Sequence, residues 1–498
     1  MAVVTLVNLN QIRVPLVAPY ALDVLASALT DGGHDVDVLD LNLESDPFAA
    51  IASRFRDHVP DLVGLTLRNT GDLYFPSALD LPTHGSFLES HAALIGAIRA
   101  WVPRERLVIG GVGFSSNPSR LLERFDLPCG VVGPGEVVLC AMAAAVDRGV
   151  PIADAMASRR LPSAPHLALF SGVQGPLAGR VRRSFLDHRR YYHEGGLAGL
   201  RTSNGCAMQC TYCVEPFAKG GRYLRRAVDW VTGEIDQLLE AGIYDIHTCD
   251  SEFNMPIEHA KQVLRAIIER RYPGVLKFWA YCQPRPFDAE FAQLLARANF
   301  AGVNFGADHT VPEVLRALGK TWYTVEDIQR STRLCHDHGI AVNHELLFGY
   351  PSDTPAAMYN AIDTVMALNA RAMGVVVGFA VLPGTALARL YQSRVASRAP
   401  LDGFIVAGEP LVDPMFYVDP TFDAPAVFDR LKAFVGSESY RIMLPQVNST
   451  SAECNQLVGS ERIREDIMSG KRGAYWYHYP TRNVRPGAGT IAVAVGQP

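Results

Sequence analysis

The chain has 498 residues, 48% of them hydrophobic and 19% charged, enough for two or three domains with sizeable cores. A formal net charge of −5 argues against a nucleic-acid partner, and the short basic runs Arg180–Arg183 and Arg222–Arg226 read as solvated faces. No apolar stretch approaches the ~20 residues that span a bilayer, and the opening Met-Ala-Val-Val-Thr-Leu-Val-Asn reads as a strand rather than a signal peptide, so a cytoplasmic protein with no membrane partner is expected.

Through the first 150 residues, strand-like runs alternate with amphipathic helical stretches. The predicted strands are Val3–Leu9, Val36–Leu41, Leu62–Leu67, Leu107–Ile109 and Gly130–Val132. Between and after them come helices at Tyr20–Leu29, Phe87–Trp101, Ser119–Arg124 and Glu136–Val146. This alternation predicts an α/β domain, a parallel sheet covered on both faces, with ligands at the carboxyl ends of its strands. The loops at those ends are Asn8–Pro19, Arg68–Asp72, a run with Gly111, Gly113, Phe114 and Ser115, and a second run with Gly133, Gly135 and Glu136. Glycines before small or acidic residues let the backbone approach a large flat ligand or a phosphate, although glycine-rich turns also arise for steric reasons alone. No G-x-G-x-x-G opens the first helix, so a nicotinamide site is not expected.

Residues 151–197 are rich in Pro, Arg and Ser and read as an irregular linker. The next strand, Gly199–Thr202, runs into Cys206, Cys210 and Cys213, spaced C-x3-C-x2-C with Tyr212 before the last cysteine. Three thiolates in so tight a loop reach three corners of one iron–sulfur cube and leave the fourth iron open; zinc with a distant fourth ligand is the alternative. The other cysteines, in apolar settings, read as reduced thiols. Strand-then-helix units follow at Asp245–Thr248 with Ile257–Arg271, Lys277–Ala280 with Ala289–Ala298, and Gly302–Phe305 with Val311–Leu318. Ile340–Leu347 with Ala356–Leu368 and a last strand, Gly374–Ala380, complete a partial (βα)6 barrel with its function at the strand C-termini. Polar residues gather at those ends: Asp250–Asn254, Gln283, Asp308 and Asp353, of which Asn254 and Asp353 read first as caps. Beyond Leu390 the periodicity fades, leaving helices at Ala424–Phe434 and Glu461–Met468 and an aromatic run, Ala474–Pro480, that lines a substrate pocket or packs a core.

The glycine loops and the Pro-rich first loop together resemble the cobalamin-binding domain of B12-dependent radical S-adenosylmethionine (SAM) enzymes. The stretch from about Gly199 to Leu390 resembles the radical SAM core: its C-x3-C-x-aromatic-C loop, a Gly-Arg-Tyr-x-Arg segment at Gly221–Arg225, the Asp-Ser-x-Phe-Asn strand end and a Pro-Gly-Thr at the final strand. The resemblance implies a Rossmann-like cobalamin-binding domain over 1–150, a linker over 151–197, a radical SAM barrel over 198–395 and a small, mostly helical C-terminal domain over 396–498 that caps the substrate. Its implied cofactors are a [4Fe-4S] cluster, SAM and cobalamin, the last cycling through methylcobalamin. The glycine-loop residues named above would then contact cobalamin. Arg68 would lie beneath the cobalt, since no Asp-x-His-x-x-Gly is present; its alternative is a surface pair with Asp72. Asp250, Ser251, Gln283, Asp308 and Arg225 would hold SAM, and Glu215 would approach the open iron or the SAM amine, unless it is only a helix-start carboxylate. The implied activity is C-methylation of a small aromatic or amino-acid-like precursor in antibiotic biosynthesis, as in the tryptophan 2-C-methyltransferases of thiopeptide biosynthesis, with an electron donor such as flavodoxin or ferredoxin. A cyclase or oxidoreductase using the same cofactors, and a cluster-bearing sensor, are the competing expectations.

Overall fold

The computed structural model describes residues 1–13, 16–70, 87–161, 164, 167–172, 179–406, 408–423, 426–427, 442–443 and 460–478. Its N-terminal part is a parallel sheet of β1 (Val3–Asn8), β2 (Asp35–Asp40), β3 (Leu62–Thr66), β4 (Leu107–Gly110), β5 (Gly130–Val132) and β6 (Leu169–Ser171), in the spatial order β2-β1-β3-β4-β5-β6. Valine and leucine fill β1, β3 and β4 because helices cover both faces. Tyr20–Asp31 and Glu136–Asp147 pack around Leu6, Leu22 and Val138, while Pro47–Arg56, Leu88–Arg99 and Pro118–Arg124 pack around Val7, Ile51, Ile95 and Leu121. Strand order reverses between β1 and β3, paired from Val4↔Leu62 to Asn8↔Thr66, and the crevice beyond such a reversal is where these sheets bind ligands.

The expected irregular linker carries β6, which pairs with β5 from Gly130↔Leu169 to Val132↔Ser171, and a helix, His188–Gly195. Three residues are too few to show a period, so nothing in the sequence marks that strand.

The second sheet contains β7 (Ala198–Leu200), β10 (Asp245–Thr248), β11 (Lys277–Cys282), β12 (Phe300–Asp308), β13 (Ala341–Phe348) and β14 (Ala372–Val377), all parallel and neighbours in that order. Helices between them bury one apolar stripe each, as with Val231, Ile235 and Leu238 of Val228–Glu240. Helix Val325–Asp337, absent from the sequence reading, has only Ile328 and Cys335 as large apolar groups on its buried face. A short antiparallel ladder of β8 (Ser203–Asn204) and β9 (Leu224–Arg225) closes the cysteine loop at its base.

Residues beyond 395 contribute strands as well as helix Ser460–Met468, where a mostly helical domain was expected. β15 (Phe379–Ala380), β16 (Phe404–Val406) and β17 (Met415–Tyr417) form an antiparallel sheet, and β18 (Ile442–Met443) pairs with β14 at the barrel's edge. The helix expected over Ala424–Phe434 lies, but for residues 426–427, outside the described residues. Trp476 packs against Trp279, Ala372 and Ala474 near the strand beginnings, and a Cβ on Gly302 would lie 2.5 Å from its ring. Among the described residues no helix is long and apolar enough to cross a membrane.

Sheet and barrel meet across buried charge. Glu234 of the barrel takes Arg183 at 2.6 Å and Arg226 at 2.7 Å, and Asp23 of the sheet side takes His188 at 2.7 Å and Arg183 at 3.4 Å. Tyr20 donates to Glu234 at 3.2 Å and accepts from Arg226 at 3.1 Å. All five of these side chains are nearly solvent-free, and Glu234, Asp23, Arg183 and Arg226 hold buried charge only while each has its partner.

Candidate active site

Beyond the carboxyl ends of β1, β3, β4 and β5 lies a cavity of about 450 Å³ that reaches the barrel. It penetrates the sheet as far as Leu6, Gly64 and Val108, and its rim carries Arg68, Gly111, Gly133, Gly135, Glu136 and Glu215. Backbone forms much of that rim. Gly111 stands at φ +102°, and a Cβ there would come within 2.4 Å of the Leu67 carbonyl oxygen, so no other residue fits without moving the β3 loop. The breadth, depth and backbone lining suit a large planar ligand with a tail, and so suit a corrinoid.

Three expected contacts are corrected. Phe114 does not line the cavity: it is fully buried in the sheet's core, its ring occupying the space beside Gly130. Ser115 accepts from the Gly133 amide at 3.0 Å and so ties one glycine loop to the other. Gly113 donates to the Leu67 carbonyl at 3.0 Å and packs on Arg68 backbone, which places the neighbouring loop rather than the ligand. Glu136 lines the cavity but is bound to Arg201 at 3.2 Å. Arg68 is exposed, into the cavity rather than the outer surface, and the surrounding chain lowers its pKa against the pull of Cys249 and Tyr191. Its alternative partner, Asp72, lies outside the described residues.

The cysteine loop is pinned at several points. Cys206 N donates to Gly220 O at 2.9 Å, Thr211 N to Leu318 O at 3.0 Å, and Ala386 N to Thr211 O at 2.8 Å. Cys206 is buried and Cys210 and Cys213 half-buried, all as free thiols. Burial pushes Cys210 and Cys213 up to about 12, with Cys206 raising both and Lys320 opposing. Three crowded thiols that resist ionisation alone are a site for positive charge, which iron supplies. Among the described residues no three His, Cys, Asp or Glu side chains converge closely enough to hold a single ion.

The barrel rim holds the expected SAM residues, but most are already engaged. Asp250 accepts from Thr202 N at 2.9 Å, Thr202 Oγ1 at 3.0 Å and Ser203 Oγ at 3.1 Å, and also from Ser203 N. Those bonds fix the strand that feeds the cysteine loop and leave Asp250 no capacity for SAM. Gln283 is bonded to Glu252 through its amide nitrogen and accepts from Trp322 at 3.3 Å. Asp308 accepts from Tyr212, the aromatic of the cysteine motif, and pairs with Lys320 at 3.0 Å. Ser251 donates to Glu215 at 2.7 Å, and Lys219 holds the same carboxylate at 2.7 Å. Glu215 N donates to Cys213 Sγ at 3.5 Å, which holds the start of its helix against the cluster loop. Arg225 is exposed at the end of β9, and the next residue, Arg226, is buried on Glu234 at 2.7 Å.

Glu252 was missed. Its Oε2 is buried without a hydrogen-bond partner, and burial pushes its carboxyl up to about 8 against the pull of Lys320. It stands within the very Asp250–Asn254 strand end that drew attention to its neighbours.

Comparison with known proteins fits this geometry. Residues 200–365 match the radical SAM superfamily and residues 14–143 the B12 binding domain. The tryptophan 2-C-methyltransferase of Streptomyces laurentii is 33% identical over 98% of this chain and 97% of its own. Structures of the radical SAM methyltransferase TsrM from Kitasatospora setae, one with tryptophan and a SAM analog, another with cobalamin and a [4Fe-4S] cluster, superpose with a TM-score of 0.83 at 34% identity, covering 96% of this chain and 97% of that one. The cobalamin-dependent radical enzyme OxsB shares the fold, with a TM-score of 0.67 at 15% identity over 88% of this chain and 67% of its own.

Proposed function

This chain belongs to the cobalamin-dependent radical SAM methyltransferases, and from that premise we propose that it methylates C2 of the indole ring of tryptophan or a close analogue. Its cofactors are a [4Fe-4S] cluster, SAM and cobalamin. When bound, the corrinoid would carry the methyl group between SAM and the acceptor carbon, and the cluster would supply a metal site beside SAM.

The observation that carries this reading is that the corrinoid-sized cavity and the residues beside the cysteine loop share one space: Glu215, Lys219 and Arg68 all line it. Cys206, Cys210 and Cys213 would hold the cluster. Arg68 fills the floor where other cobalamin proteins place a histidine, and a guanidinium there offers no lone pair to cobalt. Glu252, whose Oε2 has no hydrogen-bond partner among the described residues, is the group we assign to the SAM ammonium. Binding a cation there would return the carboxyl to its charged form. Glu215 is held by Ser251 and Lys219, which steady the wall between the cluster loop and the cavity. The full-length relative favours methyl transfer over cyclisation or sensing.

A cytoplasmic location and a small redox protein as electron donor belong to the same proposal, and the free thiols among the described residues suit a reducing compartment. Anaerobic turnover of the reconstituted protein with methyl-labelled SAM and tryptophan should place label on ring carbon 2. Label absent from every tryptophan product would reject the reading.

A further inference from the structure

The cysteine loop reaches the surface of the barrel, and the face around it is positively charged. Ala207 and Gln209 stand exposed between its thiols, and Phe217, just past the last of them, is 54% exposed. Two segments flank the loop. Residues 220–225 join it where Cys206 N donates to Gly220 O at 2.9 Å, and residues 384–398 where Ala386 N donates to Thr211 O at 2.8 Å. The ring of Phe217 lies 3.8 Å from where a Cβ on Gly384 would stand, which places it beside the second segment.

Both segments carry cations that nothing neutralises. Arg222, Arg225, Arg389 and Arg398 are exposed, and among the described residues none of them pairs with a carboxylate. Arg389 gives one N–H to the Gly384 carbonyl at 2.6 Å, which leaves its charge unmatched. From 205 to 228 and from 381 to 400 the sequence has a single acidic residue, Glu215, and Lys219 holds it at 2.7 Å. Elsewhere many arginines meet acids: Arg99 meets Asp126 at 2.9 Å, Arg270 meets Asp236 at 2.8 Å and Arg316 meets Glu313 at 2.6 Å. In a chain of net charge −5 this face is a local positive field, and such a field draws an acidic partner and orients it.

We propose that this face docks a small acidic protein that carries one electron, with Phe217 as its apolar anchor and Arg222 and Arg389 as its principal charges. This rests on the reading that a small redox protein supplies electrons, and not on the identity of the methyl acceptor. Location decides the kind of partner. Ala207 and Gln209 belong to the loop that holds the three thiols, so a protein seated here brings its own redox group close to the cluster's ligands. The reduced carrier hands over one electron, its own group oxidised and the cluster reduced, with no bond made or broken. Encounters of this kind are small and brief, and rest on charge more than on buried area.

The test mixes the reconstituted holoenzyme with photoreduced flavodoxin, and separately with reduced ferredoxin, and follows oxidation of the carrier by stopped flow. At low salt the second-order rate should fall about tenfold or more in the double variant Arg222→Glu with Arg389→Glu, and its dependence on ionic strength should flatten. Phe217→Ser should slow the reaction while leaving the salt dependence as it is. Iron content and the extent of reduction by dithionite, both at the wild-type level, show that the variants are folded and loaded. If charge reversal costs iron, the milder pair Arg222→Gln with Arg389→Gln decides by the same comparison. A wild-type rate in the double variant overturns the docking face. So does an equal fall in Arg56→Glu with Arg148→Glu, the same charge change at exposed positions of the sheet domain. In both of those results the carrier still reduces the wild type, and the electron-donor reading stands. A wild type that oxidises neither carrier removes that reading and this inference with it.

Discussion

The two rims that face each other across the larger cavity are built in opposite ways. On the sheet side glycines bring backbone up to the cavity, steadied from behind by Phe114 and Ser115, with Arg68 and Glu136 among the side chains beside them. On the barrel side it is side chains, and those that stand out in the sequence are bonded to one another: Asp250 to Thr202 and Ser203, Asp308 to Tyr212 and Lys320. A strand-end polar residue on the barrel therefore shapes the loop that carries the chemistry, and the groups left for ligands are those with an unmatched atom, such as Glu252 Oε2. Large backbone-contacted ligands need space; small charged ones need an unmatched atom.

Breaking the barrel side should have the largest effect. Replacing Cys206, Cys210 and Cys213 together by alanine should abolish both cluster absorbance and methyl transfer while the sheet rim still binds corrinoid. Transfer surviving in that variant would separate the cysteines from the reaction. Next comes the join between the two sides. Glu234→Ala would leave Arg183 and Arg226 buried without their carboxylate, at a cost of about 3–5 kcal/mol read by denaturant unfolding. A loss well under 1 kcal/mol would mean that solvent reaches this network. On the sheet side Gly111→Ala should cost about 1–3 kcal/mol from its positive φ and the Leu67 contact.

A pH dependence of the ligand-free protein tests the barrel side separately. The Glu252 carboxyl is raised from its ordinary value to about 8, so between roughly pH 4.5 and 8 the folded chain keeps a proton that the unfolded chain has released. Its contribution therefore weakens the fold as pH rises through that window. Glu252→Gln should flatten the decline in Tm from pH 5 to 8, and an unchanged slope would place the titration elsewhere.

Much of this was legible in the sequence. Valine- and leucine-rich runs at Val3–Leu9 and Leu62–Leu67, the tight cysteine spacing and the Gly111 and Gly133 loops each state a local physical need that few other arrangements satisfy. What escaped depends on partners distant in the chain. That Asp250 is saturated follows from Thr202 and Ser203 lying beside it, nearly fifty residues upstream. That Phe114 is core rather than ligand surface follows from the absent side chain of Gly130. That Arg226 is buried while Arg225 is exposed follows from Glu234, a partner on the next helix.

The contrast between the two rims is tested most directly by metal analysis of reconstituted Gly111→Ala. If the sheet rim binds corrinoid through its backbone and the barrel binds the cluster through its thiols, cobalt per chain should fall sharply while iron per chain stays at the wild-type level. Cobalt held at the wild-type level, or iron lost along with it, would contradict that division.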